Sequence, residues 1–211
     1  MKAQSSPKKQ DQNNADTKPT REDAEKAVET LIRWAGEDPA RKEIQKTPSR
    51  FINAFEEHFS GYSQNPDEVF GRDFEDAQDY NDYVLLTDIP VHSHCQHHMH
   101  PILGRAHIAY WPDGTLAGLS KFARVVNILS KRMVSQEILT RDIRACIDRV
   151  LKPKGSAVIM SAKHLCMSTR GVNSSDIETT SSSFSGIFDT DRDVRTRLLN
   201  QIHAEKKRAV F

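Results

Sequence analysis

Apolar residues along this chain follow two rhythms. Five segments repeat them at the three-to-four-residue spacing of a helix face, and four shorter ones run together or alternate as strands do. Thr20-Arg-Glu-Asp23 reads as an N-cap with an acidic first turn, and Ala24, Val28, Leu31, Ile32 and Ala35 carry the helix to about Trp34. Thr47-Pro48 supplies a second N-cap and first-turn proline. Phe51, Phe55 and Phe59 then form one stripe, and Gly61 is placed to stop that helix. Tyr83 to Ile89 and Arg105 to Trp111 predict strands, Pro112-Asp-Gly114 a turn, and the arrangement an antiparallel pair. The spacing of Phe122, Val125, Val126 and Leu129 predicts a helix over 120–131, and that of Ile138, Leu139, Ile143, Ile147 and Val150 another over 136–151. Lys152-Pro-Lys-Gly155 ends it. Ala157 to Met160 opens a strand toward His164, residues 177–184 are Ser/Thr-rich but strand-compatible, and 191–202 predicts a last helix.

Antiparallel strands with paired helices between them predict an α+β domain over 65–211, preceded by a helical region over 20–64. Residues 1–19 hold no aromatic and no β-branched apolar side chain, too little to offset the entropy of ordering, and are expected to form a disordered tail. The acidic stretch Asp73 to Asp82 reads as a solvated connection.

Charge adds little direction: 30 basic against 29 acidic residues leave a net charge of +1, which gives no reason to expect nucleic acid. Any anion site must be local. No run approaches the length of a membrane helix and no apolar secretory core opens the chain, so the expected location is cytoplasmic, without a membrane partner. Three cysteines, Cys95, Cys146 and Cys166, suit a reducing compartment and thiolate ligation better than a disulfide scaffold. Cys146, in Ile143-Arg-Ala-Cys-Ile147, is expected to be a small buried hydrophobe.

The chemistry concentrates in His92-Ser-His-Cys-Gln-His-His-Met-His100 and the distant His164-Leu-Cys166. Thiolate and imidazole are zinc's ligands; three protein ligands leave a position for water, and four close the site. Cys95 and His98 have a spacing that lets one turn hold one ion, and Cys166 can arrive from a neighbouring strand end. His164 and Cys166, two apart on an extended backbone, would share a face, one for metal and the other for protons. Ser120, Lys121 and Arg124 at a helix start, with Arg170 downstream, can hold phosphate. The Glu137 carboxylate beside Gln136 can accept two parallel N–H bonds of the kind a guanine edge presents.

In this order, Ser93-x-Cys95-Gln-His-His98, Gly118-Leu-Ser-Lys-x-x-Arg124, Gln136-Glu-x-Leu-Thr140 and His164-Leu-Cys-Met-x-x-Arg-Gly171, with Thr47-Pro-x-Arg50 upstream, resemble GTP cyclohydrolase I over roughly residues 20–202. The resemblance implies a tunnelling fold and a homodecamer with sites between subunits. It also implies conversion of GTP and water to 7,8-dihydroneopterin triphosphate and formate, the entry to tetrahydrofolate and related pterins. Cys95, His98 and Cys166 would bind Zn2+, and His97, His164 and Ser120 would be catalytic. Gln136, Glu137, Arg50, Lys121, Arg124 and Arg170 would bind substrate. One departure stands inside the ligand cluster, where Gln96 occupies a place the family usually gives to Glu. Glutamine carries no charge and takes no proton at neutral pH. It leaves open a specialised or impaired paralogue with altered purine-nucleotide chemistry. A non-catalytic zinc-stabilised binding protein is a further alternative, and it requires a fourth ligand, from His92, His94 or His100.

Overall fold

Thr20 caps the first helix of a computed structural model that describes residues 18–71, 74–77 and 80–208. The expected tail therefore lies outside the described residues up to position 17, and part of the acidic connection lies outside them as well. Two compact units divide the chain, residues 1–55 and 56–211.

In the first unit, α1 (Arg21–Trp34) begins with a capping box: Thr20 Oγ1 accepts from Asp23 N, and the Asp23 carboxylate accepts from Thr20 N. Helix α2 spans Thr47–His58 and continues into the second unit. Arg21 joins the two helices within the first unit by donating to Asn53 Oδ1 at 2.6 Å and to Ser49 O at 3.3 Å. Phe51 and Phe55 stack one turn apart, with centroids 5.9 Å from each other.

Helix α2 stops at His58, three residues before the glycine expected to stop it. Gly61 has a different reason to be glycine. It sits buried in a 3-10 turn, Ser60–Ser63, where a Cβ would stand 2.1 Å from Ile128 O and 2.8 Å from Lys131 O. Close backbone approach excludes a side chain there.

The second unit is built on a sheet. Strand β1 (Phe74–Asp76) is short; β2 (Val84–Cys95) and β3 (Pro101–Trp111) form a long antiparallel ladder; β4 (Thr115–Ala117) follows the Pro112–Gly114 turn and pairs with β1. Helix α3 (Leu119–Ser130), the two-residue β5 (Met133–Val134), α4 (Gln136–Leu151), β6 (Gly155–His164), the single turn α5 (Leu165–Ser168), β7 (Thr179–Phe184), the single turn α6 (Ile187–Thr190) and α7 (Arg192–Arg208) complete it. The main sheet has the order β5-β2-β3-β6-β7, antiparallel except for the β2–β5 edge pair. The α+β class expected from the pattern is the one observed.

Apolar side chains on one sheet face, among them Val91, Ile108, Tyr110, Val158 and Met160, pack with Phe122, Val126, Leu139 and Ile143 of α3 and α4. On the other face Ala109, Ala157 and Ile159 pack with Phe188, Leu198 and Ile202 of α6 and α7. Among the described residues no helix is long and apolar enough to cross a membrane.

Strand β2 is longer than the sequence suggested, because the histidine cluster continues the strand where it was expected to follow it. A bulge makes this possible. Leu86 pairs with Ile108 and Ile89 with Ala106, so Thr87 and Asp88 together oppose His107, and Asp88 takes φ +57°. The extra residue shifts the alternation by one. Val84 and Leu86 face α3 and α4 before the bulge, and Ile89 and Val91 do so after it.

Candidate active site

Carried past the bulge, the alternation sets Ser93 and Cys95 on the face of Val91, and His92 and His94 on the opposite one. The parallel pairing of Cys95 with Val134 brings the start of α4 to the same end of the sheet. Pairing of Ile102 with His164 brings the end of β6 there as well. After Cys95 the chain turns tightly, with Met99 N donating to Cys95 O at 2.9 Å and Met99 at φ +53°, and the turn presents His97 and His98.

At β6 the backbone leaves the strand at Leu165 and becomes helical. Cys166 therefore lies on α5, and the extended backbone expected to give it a common face with His164 ends between them. The two side chains part: Cys166 joins Cys95 and His98, while His164 Nε2 meets Gln136 Oε1 at 2.8 Å.

One donor atom from each of Cys95, His98 and Cys166 lies within 4.8 Å of the others, and Cys95 Sγ is 3.8 Å from His98 Nδ1. Donors around a tetrahedral zinc with the usual bond lengths stand roughly 3.5–4 Å apart, so the group fits the ion in both chemistry and spacing. Ile102 and Ala162, both buried, wall it beside Cys95. Burial and the neighbouring Cys95 thiol push the Cys166 thiol upward.

No fourth His, Cys, Asp or Glu joins this group among the described residues. His94 is buried on the other face with its ring 4.6 Å from that of His58 and 5.1 Å from that of Phe59. His92 is exposed on that face, and His100 Nδ1 lies 3.0 Å from His98 O. The arrangement is a three-ligand group.

Around it, His97 is exposed, with its Nε2 3.4 Å from Gln96 Nε2. Burial holds His164 below the ordinary imidazole value, against the opposing charge of Glu137. Ser135 caps α4 through Ile138 N, which fixes Gln136 and Glu137 in its first turn, Gln136 buried and Glu137 exposed. Arg170 is exposed just after α5, and its charge acts on Cys166.

The remaining candidates lie elsewhere. Ser120, Lys121 and Arg124 occupy the first turns of α3, beside the end of the ladder where Val84 pairs with Tyr110. Val84, Tyr110, Ala117, Gly118 and Leu119 line a cavity of about 360 Å3 there, distant from the ligand group. With about 3.3 Å per strand residue, roughly 30 Å of β2 separates that end from Cys95. Arg50 is exposed on α2, in the first unit. Sequence spacing had given no sign of the apolar wall of Ile102 and Ala162, nor of the full burial of the Gln136 side chain.

The family profile described as GTP cyclohydrolase I matches residues 24–203. A protein named GTP cyclohydrolase 1 from Maricaulis maris is 50% identical over 183 residues, 87% of this chain and 89% of its own length. One of the same name from Hyphomonas neptunium is 48% identical over 87% of this chain and 89% of its own length. A third, from Brucella anthropi, is 47% identical over 86% of this chain and 85% of its own.

Proposed function

The chain belongs to the GTP cyclohydrolase I family of enzymes, and we propose that it converts GTP and water to formate and 7,8-dihydroneopterin triphosphate with Zn2+ held by Cys95, His98 and Cys166. The observation that carries the reading is the three-ligand group with no fourth protein donor among the described residues, since a structural site would close with four. When bound, zinc supplies Lewis acidity that brings the pKa of water to about 7.

The chain's own residues supply the rest. The Glu137 carboxylate accepts the parallel N–H pair of the guanine edge and so orients the imidazole ring of the base. His97, exposed beside His98, moves a proton at that ring as it opens. His164 gives a proton to the ribose oxygen as the sugar opens, and Ser120 assists the rearrangement and closure that follow. Lys121, Arg124, Arg170 and Arg50 hold the triphosphate, guanidinium groups by bidentate pairs and Lys121 as a point charge.

The separation of Ser120, Lys121 and Arg124 from Cys95 supports an assembly in which a site draws residues from more than one subunit. In this reading the main sheet is one subunit's share of a tunnelling-fold barrel, and the protein is a cytoplasmic homodecamer at the entry to tetrahydrofolate and related pterins. One observation favours a second reading. Gln96 faces His97 with an uncharged amide, which suits an impaired or specialised paralogue.

Zinc-loaded protein incubated with GTP should release formate and a product that oxidises to fluorescent neopterin. Absence of both overturns the proposal. A rise of about 10- to 100-fold on Gln96→Glu would favour the impaired reading.

A further inference from the structure

The Gln136 side chain is fully buried, and every polar atom it carries is engaged. Its amide nitrogen lies 3.2 Å from Met160 O, 2.9 Å from Thr179 O and 3.0 Å from Ser181 Oγ. Backbone carbonyls only accept, so the amide must present N–H to them; the opposite orientation would press Oε1 against two carbonyl oxygens. Hydroxyl groups reinforce this sense. Thr140 Oγ1 donates to Gln136 O at 2.8 Å and stands 2.7 Å from Ser181 Oγ, which can then donate to Thr140 and accept from the Gln136 amide.

With its nitrogen so fixed, Gln136 turns Oε1 to His164, 2.8 Å from Nε2. An amide oxygen only accepts, so that imidazole nitrogen must carry a proton. We infer that Gln136 is a positioning residue: it keeps a proton on Nε2 of His164 and so leaves Nδ1 as the nitrogen through which His164 exchanges protons with substrate. This deepens the proposed function, because it rests on the proton-donor role assigned there to His164. It also gives the buried side chain a reason to be glutamine. Methionine would fill similar space without orienting the ring, and glutamate would keep the acceptor toward His164 while losing amide donors to Met160 and Thr179.

The test is the tautomer of His164 in full-length, zinc-loaded protein labelled with 15N-histidine, read by solid-state NMR and assigned by the signal lost in His164→Gln. The neutral ring should show a pyrrole-type Nε2 and a pyridine-type Nδ1. In Gln136→Met the signal should move to a mixture of tautomers, with kcat for GTP lowered about 100-fold, the lower end of a general acid's contribution, and KM little changed. Gln136→Glu should keep the Nε2–H tautomer and recover part of kcat relative to Gln136→Met. A pyridine-type Nε2 in the unsubstituted protein overturns the inference, as does an unchanged tautomer in a folded Gln136→Met. So does Gln136→Glu with kcat no better than Gln136→Met, since a role confined to bracing the two carbonyls predicts that result. If the Nε2–H tautomer is found and GTP is not turned over, the proposed function fails while the hydrogen-bond assignment holds.

Discussion

Asp88 donates its backbone N–H to His107 Nδ1 at 3.3 Å, across the point where β2 carries one residue more than β3. Arg105 holds the other side of the bulge by donating to Asp88 O at 3.1 Å. The backbone of Asp88 is left-handed at φ +57°, a conformation that costs a β-branched residue about 1–2 kcal/mol and a glycine almost nothing. Asp88→Val should therefore lower the free energy of unfolding by about 1–2 kcal/mol, and Asp88→Gly should change it little. Denaturant titration of both variants checks this. Equal losses would mean that the Asp88 side chain, and not its backbone conformation, holds the bulge.

That bulge also explains why the sequence shows its elements but not which histidines share a face with Cys95. The period of Ile138, Leu139, Ile143 and Ile147 located α4 to the residue, because an amphipathic helix writes its packing into spacing. Cys95, His98 and Cys166 were named by residue type and by resemblance, and the structure brings them together. A one-residue shift in alternation leaves no mark in composition, so the sequence leaves His92 and His94 open as a fourth ligand, and the ladder puts them on the face opposite Cys95. Gly61 was misassigned for a similar reason: the backbone of Ile128 that excludes its Cβ is 67 residues away in sequence.

The three thiols should differ in chemistry. Cys146 donates to Asp67 Oδ1 at 3.4 Å, and burial, reinforced by that carboxylate, pushes its thiol up to about 12. It should resist alkylation at pH 8 until the protein unfolds, since the thiolate is the nucleophile. Cys95 and Cys166 should be protected by zinc and react after chelation. Mass spectrometry of alkylated peptides before and after chelator treatment checks the order, and early labelling of Cys146 would contradict it.

Arg149 donates to both oxygens of Asp67 and holds its carboxyl below the ordinary carboxylate value, with burial opposing. A depressed folded pKa stabilises the fold above the unfolded value of about 3.9, and that contribution is lost as pH falls through the folded value. Both side chains are partly exposed, at 55% and 37%, so screening keeps the contribution below about 1 kcal/mol. Asp67→Asn should be less stable than the unsubstituted protein at pH 7, and the difference should shrink below about pH 3.9 and vanish once the pH has fallen through the lower folded value. A difference that persists or grows in acid would mean that Asp67 acts other than through its charge.

Lys121, at the start of α3 beside the Val84 end of β2, stands far from Cys95 at the other end of that strand, so under the proposed shared site Cys95→Ala and Lys121→Ala should complement each other. Each oligomer alone should be nearly inactive. Unfolding and refolding the two together should restore measurable formate release, because some mixed interfaces carry neither substitution. If the mixture stays as inactive as its parents, while unsubstituted protein refolds normally, the shared-site account fails.

Zinc titration of chelated protein, with bound metal and formate release from GTP measured on the same samples, tests whether the Cys95, His98 and Cys166 group is the catalytic metal site. Both should rise together and level off at about one zinc per chain, as a single three-ligand catalytic site requires, and both should stay near zero in Cys166→Ala. Full formate release from the metal-free protein, or from Cys166→Ala that binds no zinc, would contradict the account.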